Sequence, residues 1–376
     1  MDLTFWDGER KITRMGKIIF TAILSAAATL FADGGKQASE AIEWREMSKI
    51  GLEGKAWSDT EYPYGRLPLR AKEKTTKAVW NNSHSSTGMC INFETDSPKI
   101  WVKREFLSKQ LGEYNFNVCA FSGFDLYTKD AGGKFRMLAT TPHNSSEKSE
   151  YRLAQTDGKK RVYRLYLPLR NTLLSAQLGV EKGSYFRAIP AREKPVVFYG
   201  SSIVHGAFAS HAGLSHPSLI GRRLDVPIVN LGFSGAAKME PEIADLLAEI
   251  DASAYVIDAQ PNMGAKLVSE RCEKFLRRLR KLRPDTPILL AERVEHNRAW
   301  LIPQEGNYVK QMWKIQRGIY DRLVAEGEKR MLYMEGENLY GADGEGSIDG
   351  IHPNDLGIMN IANRMTPILQ KLLEMK

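Results

Sequence analysis

Five residues in the second half of the chain have types and spacing that could do chemistry together. Ser202 sits in "VVFYGSSIVHG", where a short apolar run ends in a glycine and two serines. Gly235 follows in "NLGFSG", Asn262 in "DAQPNMG", and Asp349 and His352 share "SIDGIHPNDLG". A hydroxyl, an imidazole that titrates near neutrality and a carboxylate three residues before it make an acyl-transfer set. The carboxylate can hold one ring nitrogen, which frees the other to take a proton from the hydroxyl. The backbone N–H groups of Ser202 and Gly235 and the Asn262 side-chain amide are candidate donors to the oxyanion. Pro353 disfavours helix at His352, so the Asp349/His352 pair is expected on the approach loop to the last helix.

Rival readings of the same residues are weaker. A Gly-Ser-Ser turn after a strand also suits a phosphate-cradling loop, but no Gly-Lys-Ser/Thr follows. The Gly-x-Ser-x-Gly elbow of α/β-hydrolases would need glycine where Val204 stands. No His-Glu-x-x-His pattern occurs, and neither a metal nor a cofactor is expected. His296, directly after Glu295, is a rival base. His205, His211 and His216 crowd the stretch after the serine and either line a pocket or pack.

These residues need a scaffold that brings strand ends to one rim. From 196 the chain alternates apolar strands ("PVVFYG", "VPIVNLG", "AYVIDAQ", "PILLAER", "RMLYMEG") with helical patterns near 240–250, 267–283, 306–327 and 355–374. That grammar predicts a three-layer α/β sandwich with a five-stranded parallel sheet, with ligands bound beyond the carboxyl ends of its strands. Residues 42–186 read instead as short strands between Gly, Asn and Asp turns, an antiparallel all-β, jelly-roll-like sandwich. "RAIPAREKP" (187–195) reads as the linker, and 196–376 as the catalytic domain. Trp57, Trp80 and Trp101 are expected in core, with stacking on sugar rings as the alternative.

The rest of the composition narrows the class. At 376 residues, with 43% hydrophobic and 26% charged, this is a two-domain globular chain. The net charge of +8 is scattered, apart from "KFLRRLRKLR" (274–283). There Phe275, Leu276, Leu279 and Leu282 form an inward stripe and the basic residues a solvated face, so nucleic acid is not an expected partner. Cys90, Cys119 and Cys272 have no metal-ligand spacing and read as free thiols, although a Cys90–Cys119 bridge is open. Lys17 before an apolar run from Ile18 to Ala32 has the order of a secretory signal, with 1–32 removed and Met15 an alternative start. The run is shorter than the roughly 20 residues a membrane span needs, so an exported protein without a stable span is expected.

The four motifs together resemble the SGNH or GDSL hydrolases. Gly200-Ser201-Ser202-Ile203 stands for Gly-Asp-Ser-Leu, and "NLGFSG", "PNM" and "DGIH" stand for the other three. The resemblance implies Ser202 as nucleophile, Gly235 and Asn262 completing the oxyanion hole, Asp349 orienting, and His352 as base. "GFDLY" (Gly123–Tyr127) resembles the Gly-x-Asp-Leu-Tyr string of the sandwich that precedes a subset of these esterases. The chain departs from the family at Ser201, at Gln260 and Met263 around Asn262, and at Ala236-Ala237 after the motif glycine. The expected function is hydrolysis of short acyl esters, acetyl foremost, on a carbohydrate or small-molecule alcohol. The alternatives are a lipase or thioesterase of the same fold, or a glycan-binding protein whose hydrolase domain is vestigial.

Overall fold

A computed structural model describes residues 42–141 and 149–375. The expected signal segment, 1–32, lies outside the described residues. The first half forms β1 (Ile42–Glu46), β2 (Leu52–Glu53), β3 (Cys90–Thr95), β4 (Lys99–Phe106) and β5 (Asp125–Lys129). It continues with β6 (Phe135–Thr140), β7 (Glu150–Gln155), β8 (Arg161–Tyr166), β9 (Leu173–Glu181) and β10 (Phe186–Ile189). These strands make two sheets, β1-β9-β4-β7 and β10-β3-β8-β5-β6, with β2 paired to β3. Alternate residues of each face the other sheet. Ile91, Phe93, Leu126 and Leu165 from one meet Ile100, Val102, Ala176 and Leu178 from the other.

Two short helices interrupt the sandwich, α1 (Lys77–Asn82) and α2 (Val118–Phe121), capped by Thr76 and Asn117. The stretch expected as a linker begins as strand: Arg187, Ala188 and Ile189 pair with Glu94, Phe93 and Asn92. Arg192 beyond it binds the buried Glu53 carboxylate at 2.8 Å and Asp225 at 3.1 Å. Sequence could not show this, because the pairing partner lies almost a hundred residues away.

The second half is a parallel sheet in the order β12-β11-β13-β14-β15. Its strands are β11 (Val196–Gly200), β12 (Ile228–Gly232), β13 (Ala254–Asp258), β14 (Ile288–Ala291) and β15 (Met331–Met334). Alternation along the strands feeds two cores. Val197, Tyr199, Tyr255, Ile257 and Leu290 face α5 (Pro241–Glu249), α6 (Ala265–Leu282) and α7 (Pro303–Ala325). Val196, Phe198, Val256 and Leu289 face α4 (His216–Leu224) and α8 (Asp355–Leu373) on the other side. Before α4 lies a single helical turn, α3 (Ser202–His205).

The pattern reading missed α4. It has only nine residues, and Gly221 interrupts its apolar face. A Cβ at Gly221 would stand 2.5 Å from Ile228 Cγ1, so the glycine lets the helix lie close on β12. In α6, Phe275, Leu276 and Leu279 are buried as expected, but Leu282 is 46% exposed because the helix ends there. Three arginines of α6 are paired: Arg278 with Asp245 at 2.6 Å, Arg277 with Glu326 at 2.6 Å and Arg280 with Glu328 at 2.6 Å. All three cysteines are free. Among the described residues no helix is long and apolar enough to cross a membrane.

The halves share a core. Trp57, Leu67, Ala71, Val79 and Trp80, from the segment between β2 and β3, pack into the cluster under α5 and α6, and Trp57 donates to Glu249 at 2.8 Å. Trp101 is buried as well. The "GFDLY" string faces the same seam. Asp125, fully buried, accepts from His211 Nδ1 at 2.7 Å and from the Gly213 N–H at 2.5 Å. The Arg222 guanidinium lies 4.1 Å over the Tyr127 ring.

His216, at the start of α4, is fully buried, with no partner for either ring nitrogen among the described residues. Burial lowers its pKa to about 3. The unfolded chain therefore takes up a proton below about pH 6.5 that the folded chain refuses, and the stability present above that pH is lost as pH falls toward 3. Between pH 7.5 and pH 5, His216→Leu should lose about 2 kcal/mol less unfolding free energy than the parent. Urea titrations at the two pH values test this, and equal losses would refute it.

Candidate active site

Ser202 opens α3 directly after β11, and its neighbours fix it there. Gly200 is required by space, since a Cβ would lie 2.4 Å from both the Asp258 carbonyl and Val204 Cγ2. Ser201 caps the turn, its side chain accepting from Ile203 N–H at 3.3 Å, while its own N–H donates to the Asp258 carbonyl at 3.2 Å. Ser and Asp serve equally as N-caps, which accounts for serine in this position. Ser202 itself is 8% exposed.

His352 Nε2 lies 3.1 Å from Ser202 Oγ, and Nδ1 lies 2.8 Å from Asp349 Oδ2. The other carboxylate oxygen, Asp349 Oδ1, accepts from the N–H groups of His352 at 2.7 Å and Ile351 at 2.9 Å. Burial pushes the Asp349 carboxyl upward. The hydrogen bonds from His352 and Ile351 and the nearby imidazole outweigh it and hold the carboxyl below its ordinary value. With Asp349 on Nδ1, the proton belongs on that nitrogen and Nε2 is the acceptor for the serine hydroxyl. The loop is tied down by Tyr340 Oη on the Ile351 carbonyl at 2.9 Å and by Asn297 N–H on the Gly350 carbonyl at 2.9 Å.

Gly235 and Asn262 meet at the end of β12. Gly235 has φ of +68°, and a Cβ there would meet nothing within 4 Å. Glycine is thus favoured here by the left-handed backbone. The N–H groups of Ser202 and Gly235 have no acceptor among the described residues. The Asn262 amide satisfies its surroundings when Oδ1 accepts from the Ala236 and Ala237 N–H groups, each at 3.2 Å, which leaves Nδ2 free to donate. This loop is joined to the serine turn by the Phe233 N–H on the Gly200 carbonyl at 2.8 Å.

The departures around Asn262 have structural roles. Gln260 is buried, with Oε1 accepting from Arg293 N–H at 2.9 Å and Nε2 donating to the Met312 carbonyl at 3.2 Å. Met263 is buried in the α5/α6 core.

Residues the sequence did not single out hold the Gly235 loop. Arg66, from the first half and 2% exposed, donates to the carbonyls of Asn230 at 2.9 Å and Gly232 at 2.8 Å. It also reaches the Asn82 carbonyl at 2.6 Å, and its guanidinium lies 5.0 Å from the Phe233 ring centroid. Asn82 donates to the Ser234 carbonyl at 3.3 Å. His205 is buried too, with Nε2 on the Leu169 carbonyl at 2.9 Å and Nδ1 on Ser234 Oγ at 3.1 Å. Burial, helped by Arg66 and Arg170, drives its pKa well below the usual value, so it is a neutral spacer. The one legible signal was a lone arginine in the apolar, Pro-containing stretch "YPYGRLPL".

Three further histidines are held by other partners or by core packing. His296 lies between Arg293 and Glu305, 3.3 Å from the latter. His211 is held by Asp125 and His216 is in core. A concavity of about 900 Å³ opens beside Arg330 and Met331, at the amino end of β15, whereas Ser202 stands at the carboxyl end of β11, the rim where parallel sheets bind ligands.

Comparison with known proteins agrees with this architecture. Residues 193–370 match the GDSL-like lipase/acylhydrolase family, and residues 42–186 match the N-terminus of the SGNH-hydrolase-type esterases. A protein from Bacteroides ovatus, assigned as a GDSL-like lipase, is 30% identical over 89% of this chain and 99% of its own, with a TM-score of 0.82. The salicylyl-acyltransferase of a tetracycline biosynthetic pathway shares the fold at 18% identity, over 90% of this chain and 100% of its own, with a TM-score of 0.71. So does a family two carbohydrate esterase from Cellvibrio japonicus, at 11% identity, over 89% and 98%, with a TM-score of 0.57. No curated protein matches the chain. The chain therefore belongs to the GDSL/SGNH family of carboxylic ester hydrolases, with the sandwich that marks one branch of it as its first half.

Proposed function

We propose that this is an exported serine esterase that removes short acyl groups, acetyl foremost, from a carbohydrate. The observation that carries the catalytic part is the unbroken hydrogen-bonded line from Asp349 through His352 to Ser202. His352 Nε2 takes the hydroxyl proton as Ser202 Oγ bonds to the ester carbonyl carbon. The carbonyl oxygen becomes an oxyanion held by the N–H groups of Ser202 and Gly235 and by Asn262 Nδ2. As the C–O bond to the alcohol breaks, the imidazolium returns its proton to that oxygen. Water, deprotonated by the same nitrogen, then cleaves the acyl-serine. The carbohydrate part draws on the like architecture of the carbohydrate esterase from Cellvibrio japonicus, and export on the leader-like order of residues 15–32.

The test is acetate release from acetylated polysaccharides beside p-nitrophenyl acetate, butyrate and octanoate. Acetate release outpacing the longer esters is expected, and activity confined to octanoate would move the enzyme to the lipase side. Ser202→Ala should abolish turnover, and a variant with full activity would overturn the mechanism. Asn262→Ala should lower kcat by roughly a hundredfold or more. Asp349 is held below its ordinary value, so its carboxylate persists on the acid side, where a base that acts as free imidazole is lost on protonation. Log kcat/KM should fall there with a slope of one, and a profile flat from about pH 5 to 8 would remove His352 as base.

A further inference from the structure

The proposed reaction divides the site. The oxyanion donors face the carbonyl, whereas the imidazole hands its proton to the departing alcohol. Whatever flanks His352 therefore borders the alcohol half of the ester. Phe208 flanks it, with ring centroids 5.3 Å apart. Phe208 has φ of +63°, a conformation that is a genuine outlier for a bulky residue and persists only when its surroundings enforce it.

The enforcement comes from both sides. The Phe208 N–H donates to the Asn115 carbonyl at 2.8 Å, and Asn117 Nδ2 donates to the Ala209 carbonyl at 2.9 Å, both from the sandwich. Ser210 N–H donates to Asp355 Oδ1 at 2.9 Å on α8. The strained turn is thus clamped with its ring against the catalytic base.

Tyr114 stands edge-on to Phe208, with centroids 5.6 Å apart and planes at 89°. It occupies the tip of a turn closed by reciprocal bonds between Glu113 and Phe116, at 2.8 and 3.1 Å. The root of that loop is anchored by Asn171 Nδ2 on the Gln110 carbonyl at 3.0 Å. Tyr114 is nonetheless 86% exposed, and its hydroxyl has no partner among the described residues. An anchored loop that holds an aromatic ring in water, edge-on to the ring that flanks His352, has no folding reason to do so. It does have a binding one, because a sugar ring offers an apolar C–H face to an aromatic plane and hydroxyls to a phenol.

We infer that Tyr114 and Phe208 form the wall that receives the alcohol, with a pyranose ring laid on Tyr114, so that the sandwich half selects the substrate. This rests on the esterase reading above. The experiment compares kcat/KM for an acetylated methyl pyranoside with that for ethyl acetate, whose alcohol has no ring. In Tyr114→Ala the ratio of the two should fall about tenfold, chiefly through KM, and Tyr114→Trp should restore it. A ratio equal to that of the parent enzyme in Tyr114→Ala would overturn the inference while leaving the esterase intact. A parent enzyme that cleaves ethyl acetate but no acetylated sugar would instead overturn the carbohydrate reading, and this wall with it.

Discussion

The structure depends on a buried cation at the seam between its halves. Arg66 has no carboxylate among its hydrogen-bond partners, so backbone carbonyls at the end of β12, the Asn82 carbonyl, Ser85 Oγ and the face of Phe233 carry its charge. Burial lowers its pKa to about 9, still far above neutrality, so it stays charged there. A buried cation forces its surroundings to keep their carbonyls aimed at it, because losing one would leave a charge unsolvated. Those carbonyls belong to Asn230 and Gly232, just before the turn that offers the Gly235 N–H. The first half of the chain thereby fixes the loop that carries the proposed oxyanion donor Gly235.

This explains which parts of the molecule could be read from sequence. Strands β11 to β15 were legible because each is apolar on both faces, and the long helices because their stripes repeat at helical spacing. Ser202, Asp349 and His352 were legible because each lies in a short motif whose chemistry is local. The Arg66 clamp was not, since the carbonyls it holds at the end of β12 stand more than 160 positions away. Helix α4 was hidden because close packing on Ile228 is served by a glycine, which weakens the helical signal. Strand β10 was hidden in an apparent linker because its pairing with β3 is long-range.

The motif departures follow the same logic of local fit. Gln260 spends both ends of its amide on fastening the Asn262 turn to Arg293 and Met312, and Met263 buries itself under α6. Ala236 and Ala237 contribute through their N–H groups, which orient the Asn262 amide. Side chains there are small because the backbone is what the site uses. The changes that looked largest in a motif comparison thus fall on residues that support the donors, while the donors themselves keep their types.

The "GFDLY" string shows why the sandwich is part of the enzyme. Gly123 leaves no room for a side chain, since a Cβ would stand 2.0 Å from the Cys119 carbonyl, and this brings the chain sharply into β5. Asp125 then points across the seam to His211 and Gly213, while Tyr127 receives Arg222. All three targets, His211, Gly213 and Arg222, lie within about twenty residues after Ser202, in the segment that passes His352 at Phe208 and leads into α4. A sandwich that only tethered the enzyme to a polymer would have no need to grip that segment with a buried carboxylate. Its grip on that segment, together with the hydrogen bonds of Arg66 to the end of β12, means that the surroundings of Ser202 are set in part by residues the catalytic half does not contain.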